Sequence, residues 1–123
     1  MIKKFREYIT KTGTSVLAGR NAKNNEELVA QVDSNEEVFH TAAAGSPFVN
    51  IKGKAKKGDI IEAAVFCAFY SRDWKKNKKE IIEVHRFKGK DIYKEKGMKL
   101  GTFGIKKFKI IKVTKEDIEN WLP

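Results

Sequence analysis

The sequence predicts an α+β domain, a single mixed or antiparallel sheet with a buried central helix and a C-terminal helix, in the approximate order ββαββαβββα. Three observations carry this expectation. Residues 60–70 are apolar on nearly every side of a helical wheel, apart from Glu62, so that helix must be buried across a sheet. After residue 80 the hydrophobic period drops to two, over EIIEVHRF, KDIY, GTFGI and KFKIIKV. The closing TKEDIENWL then returns to helical spacing behind Thr114 and Asp117, which stand at capping-box distance.

Each element has a local reason. FREYIT and TSVLAG are short β-compatible runs separated by Lys11, Thr12 and Gly13, and predict a hairpin. In NAKNNEELVAQVD, Asn24 or Asn25 can cap a short amphipathic helix whose apolar stripe is Leu28, Val29 and Val32. VFHTAA and PFVNIKG predict two strands joined around Ala44, Gly45, Ser46 and Pro47. In GDIIEAAVFCAFYSRDWKK, Asp59 and Glu62 suggest a capping box and oppose the positive end of the helix dipole. Cys67 reads as a small buried hydrophobe of that helix. In the last strand, alternation sets Lys107, Lys109 and, less strictly, Lys112 opposite Phe108 and Ile110, which predicts one basic sheet face and one face packed on helices. In the closing helix Ile118, Trp121 and Leu122 form one apolar stripe.

A chain of 123 residues fits one domain, spanning 1–123, and buries enough surface to need no disulfide or structural metal. One cysteine cannot form an internal bridge and suggests a reducing, cytoplasmic setting. The start, MIKKFREYITKTG, lacks a signal-peptide core, and no run approaches a membrane span, so no membrane partner is expected. The 26 Lys plus Arg against 16 Asp plus Glu give a formal charge of +10. Arg72 to Lys112 holds 15 basic and 5 acidic residues, so that segment alone accounts for the whole excess. Its bases alternate with Trp74, Phe87, Tyr93, Phe103 and Phe108, the pattern of a folded basic surface facing a polyanion.

Catalytic patterns are sparse. His40 and His85 lie far apart in sequence with no second metal-ligand spacing around them, so no metal or cofactor is expected. Ser46 lacks the GxSxG setting of a nucleophile. Residues 53–59 have phosphate-loop glycines without the Lys-Ser/Thr pair that would complete one. Gly19, Arg20 and Asn21, followed by Ala22, Lys23, Asn24 and Asn25, are more informative: Arg20 offers a planar fork suited to phosphate beside turn-forming asparagines. His40 comes close to this loop if the second and third strands are neighbours.

These residues together resemble one family. Gly19, Arg20, Asn21, Lys23, Asn24 and Asn25, then Phe39, His40, Gly45 and Ser46, then Ala63, Ala64, Ala68, Tyr70 and Ser71, and finally Lys94, Lys96, Gly97 and Gly101 look like the motifs of the NFACT-R domain, from about Lys4 to Val113. That domain is the RNA-binding module of the NFACT proteins of ribosome-associated quality control. Asn24 stands where the family often has Gln, and Pro47 where a polar residue is common. The resemblance implies a stand-alone, non-enzymatic module that binds structured RNA, either tRNA or large-subunit rRNA on the ribosome, without the tail-adding work of the larger proteins.

The residues expected to contact nucleic acid are Arg20, Asn21, Lys23, Asn24, His40, Ser46, Arg72, Lys75, Lys76, Lys94, Lys96, Lys107 and Lys109. Lysines supply phosphate neutralisation and the Arg20, Asn21 and His40 group supplies local recognition. Two other readings compete: a protein-interaction module on a ribosome-associated factor, and a small nuclease using His40 with Ser46 or Asp33.

Overall fold

The structure, a computed structural model, describes residues 4–122. Helix α2 (Asp59–Phe69) has no polar face to offer water, and every residue from Ala63 to Ala68 is buried against a six-stranded antiparallel sheet. The strands are β1 (Arg6–Ile9), β2 (Ser15–Ala18), β3 (Glu37–Thr41), β4 (Val49–Ile51), β5 (Ile81–Lys88) and β8 (Lys109–Thr114). Their spatial order is β1-β2-β4-β3-β5-β8. Two more strands, β6 (Ile92–Tyr93) and β7 (Gly104–Ile105), pair in a ladder of their own. Helix α1 (Ala22–Ala30) connects β2 to β3, the short α3 (Arg72–Lys75) follows α2, and α4 (Lys115–Trp121) closes the fold.

The α+β class, the antiparallel sheet, the buried central helix and the C-terminal helix are as expected. The single helical covering is not. On one face α2 and α4 pack on Val16, Ala18, Phe39, Val49, Ile51, Ile82, Val84 and Val113. On the other, Leu28 and Val29 of α1 and Val32 just past it pack on Val38, Phe48 and Phe87, beside Ile92 and Ile105 of the small ladder and Phe103 just before its second strand. Strands β3 and β4 are buried at consecutive positions, Val38 and Phe39 in one and Val49, Asn50 and Ile51 in the other, as strands covered on both sides are. The stripe of α1 therefore finds its partner on the face that simple alternation leaves to solvent.

Capping chemistry also departs from expectation at two helices. The N-cap of α1 is Asn21, whose side chain accepts the Asn24 N–H at 2.8 Å; Asn24 and Asn25 lie within the helix and are buried. At α2 the N-cap is Gly58, and no capping box forms. Asp59 instead accepts from the Lys56 N–H and the Thr12 hydroxyl, each at 2.8 Å. Glu62 accepts from the Tyr8 hydroxyl at 2.5 Å. Both carboxylates thus tie the β1–β2 hairpin to the start of α2. The capping box of Thr114 and Asp117 does form.

The last strand alternates with the faces reversed from the expected sense. Ile111 and Val113 point to the α2 side, so Lys109 shares that side, while Ile110 and Lys112 point away. Lys112 is therefore not on the face of Lys109. Ile118 is buried and Trp121 packs on α2, but Leu122 lies past the helix and is exposed.

Two measurements check this packing. Burial pushes the Cys67 thiol up to about 12, so a thiol reagent at mildly alkaline pH should label the native chain only as fast as it unfolds, and the denatured chain at once. Burial alone would raise the Asp59 carboxyl, but the Lys56 N–H and the hydroxyls of Thr14, Thr12 and Thr10 outweigh it and bring its pKa down to about 2. A carboxyl lowered by folding stabilises the native state above its unfolded pKa of about 3.9, and loses that contribution as pH falls through the folded value. Thermal melts taken down to about pH 2 should show Asp59→Asn falling less steeply with acid than the parent chain.

Candidate nucleic-acid interface

Strand β2 ends at Gly19, and three asparagines turn the chain into α1 there. Asn21 caps the helix, the Asn24 Oδ1 accepts the Arg20 N–H at 2.9 Å, and the Asn25 Oδ1 accepts the Phe48 N–H at 3.2 Å across the sheet. A Cβ at residue 19 would run into the Asn25 side chain, so the absence of one is what allows this loop to close. Arg20 and Asn21 are left exposed at its tip.

The β3–β4 turn forms the next wall. His40 Nδ1 lies 2.7 Å from the Thr41 carbonyl, and its ring tilts against Phe48 with centroids 4.6 Å apart. The Ser46 hydroxyl accepts the Thr41 N–H at 3.0 Å and donates to the Pro47 carbonyl at 3.2 Å. Gly45, at φ +95°, accepts the Arg72 N–H at 2.8 Å, and the Arg72 side chain lies across it, where a Cβ would be in close contact. The turn and the start of α3 are thereby locked together.

Arg6 joins from the opposite side. Its Nη1 donates to the Gly19 carbonyl at 2.7 Å while its guanidinium sits 4.4 Å from the Tyr70 ring centre. Lys75 also approaches Tyr70, at 4.7 Å. The remaining wall is residues 100–105. Lys94 holds it, with Nζ 2.6 Å from Glu26 and donating to the Lys99 and Thr102 carbonyls at 2.6 and 2.7 Å. The Gly101 N–H meets the same Glu26 carboxylate at 2.6 Å, and Phe103 stands edge-on to Phe48.

These four walls enclose an open cleft of about 620 Å³. Its charged lining is Arg6, Arg20 and Arg72, with no carboxylate among the described residues that form it. Burial, reinforced by the proximity of His85, lowers the pKa of His40, and burial likewise lowers that of His85, so both rings in the cleft favour the neutral form. The arrangement can bind phosphate through planar guanidinium forks beside polarisable rings.

Of the expected contact residues, Arg20, Asn21, His40, Ser46 and Arg72 line this cleft. They meet although β4 lies between β2 and β3; Phe48, not direct strand pairing, joins His40 to the loop. Asn24 is buried below the loop, its amide committed to the Arg20 N–H and the Lys4 carbonyl. Lys75 borders the cleft through Tyr70; Lys76, Lys23 and Lys96 are exposed outside it. Lys94 is an internal tether, as described above. Lys107 and Lys109 line a second hollow of about 220 Å³ with Arg86, Lys88 and Phe108. There burial works to raise the Glu37 carboxyl, and hydrogen bonds from Arg86 and Lys88 outweigh it and hold it below the ordinary range. Sequence reasoning misses Arg6, His85 and the wall at residues 100–103, because the contacts that place them span tens of residues.

Among the described residues no acid–base pair is built around His40. The Ser46 hydroxyl is engaged with backbone groups, and Asp33 precedes the far end of β3. Among the described residues no three His, Cys, Asp or Glu side chains group to hold a metal ion, and no helix is long and apolar enough to cross a membrane.

Comparison with known proteins agrees with this geometry. The C-terminal part of the fibronectin/fibrinogen-binding protein from Streptococcus suis has the same fold, with a TM-score of 0.81 and 24% identity. The match covers 98% of this chain and 49% of that one, so the chain spans about half the length of that structure. No curated protein matches the chain. Residues 4–107 match the family described as the NFACT protein RNA binding domain, and they include every wall of the cleft. That match spans most of the 123 residues, and the chain belongs to the NFACT protein RNA binding domain family.

Proposed function

We propose that this domain binds structured RNA, tRNA or large-subunit rRNA, in the setting of translation or ribosome-associated quality control, and that the cleft receives an unpaired nucleotide or a sharp backbone turn. The observation that carries this reading is the convergence of Arg6, Arg20 and Arg72, without a carboxylate, on one concavity beside His40 and Tyr70. A volume of about 620 Å³ suits one or two nucleotides. RNA is read at loops, bulges and ends, where bases are splayed from the stack, because the deep groove of an A-form helix shuts side chains out. Guanidinium forks then hold phosphates around the splayed nucleotide, and the rings of His40 and Tyr70 offer it flat surface. The exposed lysines of the second half of the chain add sequence-independent affinity.

Fluorescence anisotropy with labelled tRNA and a loop-bearing rRNA fragment tests the reading. Affinity should fall steeply between about 50 and 200 mM salt, by a slope of roughly 0.7 to 0.9 per phosphate neutralised. Arg20→Ala and Arg72→Ala should each weaken binding about tenfold, the scale of a lost charged hydrogen bond, with the melting temperature unchanged. Salt-insensitive binding, or parental affinity in the Arg20→Ala/Arg72→Ala double variant, would overturn it. Labelled RNA incubated with the protein and magnesium should stay full length; cleavage that His40→Ala abolishes would favour the nuclease instead.

A further inference from the structure

Phe108 is 47% exposed, yet its ring is ordered by a parallel stack on His85, with centroids 3.9 Å apart and planes 16° from each other. Ile110, cross-strand partner of His85, is 53% exposed on the same sheet face, and Ile81 on that face is 55% exposed. The edge strand has spent Ile111 and Val113 on the core, so this second apolar row has no packing purpose. Scattered exposed apolar residues are ordinary; neighbouring ones such as Phe108 and Ile110, edged by charge, mark a contact surface. Lys112 shares that face and, with Glu83 opposite it, stands between Ile110 and Ile81, whereas Lys109 lies on the other face of the strand.

Two occupants have the right chemistry, an acidic protein surface and a nucleic-acid strand. Continuity decides between them. His85 is at once the support of Phe108 and part of the cleft wall, and Phe108 in turn lines the hollow that holds Lys107 and Lys109. Rings and lysines therefore lead from the cleft to the edge of the sheet. A flat ring flanked by cations is the pairing that single-stranded nucleic acid uses, bases stacking on the ring while phosphates meet the charges.

We infer that the His85–Phe108 stack is a platform for one base of an unpaired RNA segment leaving the cleft, whose backbone turns over the sheet edge to meet Lys107 and Lys109 with its phosphates. The inference rests on the cleft reading and extends its footprint from a single splayed nucleotide to a single-stranded flank. Phe108 supplies the stacking surface, His85 fixes its orientation, and the lysines make the contact tolerant of sequence.

The test uses the full chain with two RNA hairpins, one blunt and one carrying a short unpaired adenosine tail with 2-aminopurine in it. Phe108→Ala should weaken the tailed hairpin about 5- to 150-fold, the span of one lost stacked base, and leave the blunt hairpin and the melting temperature unchanged. The 2-aminopurine quenching seen with the parent chain should vanish in Phe108→Ala and return in Phe108→Trp. Lys107→Ala should lower the salt slope for the tailed hairpin by about 0.7. If Phe108→Ala binds the tailed hairpin like the parent while Arg72→Ala weakens both hairpins, the platform is wrong and the cleft reading stands. If Arg72→Ala also has no effect, the cleft reading falls with it.

Discussion

One carbon atom that is absent at residue 19 underlies the whole site. Because Gly19 has no side chain, the Asn25 amide reaches across and accepts the Phe48 N–H, and a single side chain then binds the end of β2, the first turns of α1 and the start of β4. Phe48 is in turn the floor on which His40 and Phe103 rest from opposite elements. Breaking that contact would leave a buried N–H without a partner, at a cost of about 1–3 kcal/mol, and would release three walls of the cleft together. Rigidity in such a loop has a functional sense: an exposed arginine held on a fixed backbone loses less freedom on binding than one on a mobile turn.

Charge and site turn out to be separate properties of this chain. All of the net +10 is accounted for by Arg72 to Lys112, yet two of the three arginines in the cleft, Arg6 and Arg20, come from the nearly neutral first part. The basic half supplies a field that draws in a polyanion over distances near the Debye length, about 8–10 Å at ordinary salt. The arginines of the cleft can add to that field the directional hydrogen bonds that only contact makes. Covering the sheet on both sides makes this division possible, since α1 and the β6–β7 ladder build a concave wall on a face that would otherwise be flat.

The architecture was largely legible from period and punctuation. The apolar circumference of α2, the alternation after residue 80, the Thr114 and Asp117 capping box and the burial of Cys67 all follow from short-range pattern. What local pattern could not give was decided by pairing between distant segments. Which side of β8 faces the core depends on its neighbour β5, and Lys112 fell on the outer side for that reason. Asn24 and Asn25 carry the residue type of a helix cap but sit one turn too late, where their amides serve neighbouring backbone instead of solvent. Arg20 and Asn21 were visible as polar residues beside a glycine, His40 as a polar residue ahead of the Gly45 turn and Arg72 as the first base of the basic segment; Arg6 sat in an unremarkable strand, and only its contacts with Gly19 and Tyr70 place it in the cleft. Lys94 was expected among the bases that contact nucleic acid, and its role as the tether of residues 99–102 depends on Glu26, sixty-eight positions away.

Strand β8 is the last in its sheet, so among the described residues no strand pairs with the outer row of its backbone N–H and C=O groups. A long strand edge of this kind is a template on which a second copy can extend the sheet, more so when Ile110 and Phe108 leave apolar surface beside it. Lysines at 107, 109 and 112 set like charges against each other in any such pairing. The same ammonium groups that suit a polyanion therefore also guard the solubility of the chain, and neutralising them one by one would trade lost attraction for RNA against a growing tendency to self-associate.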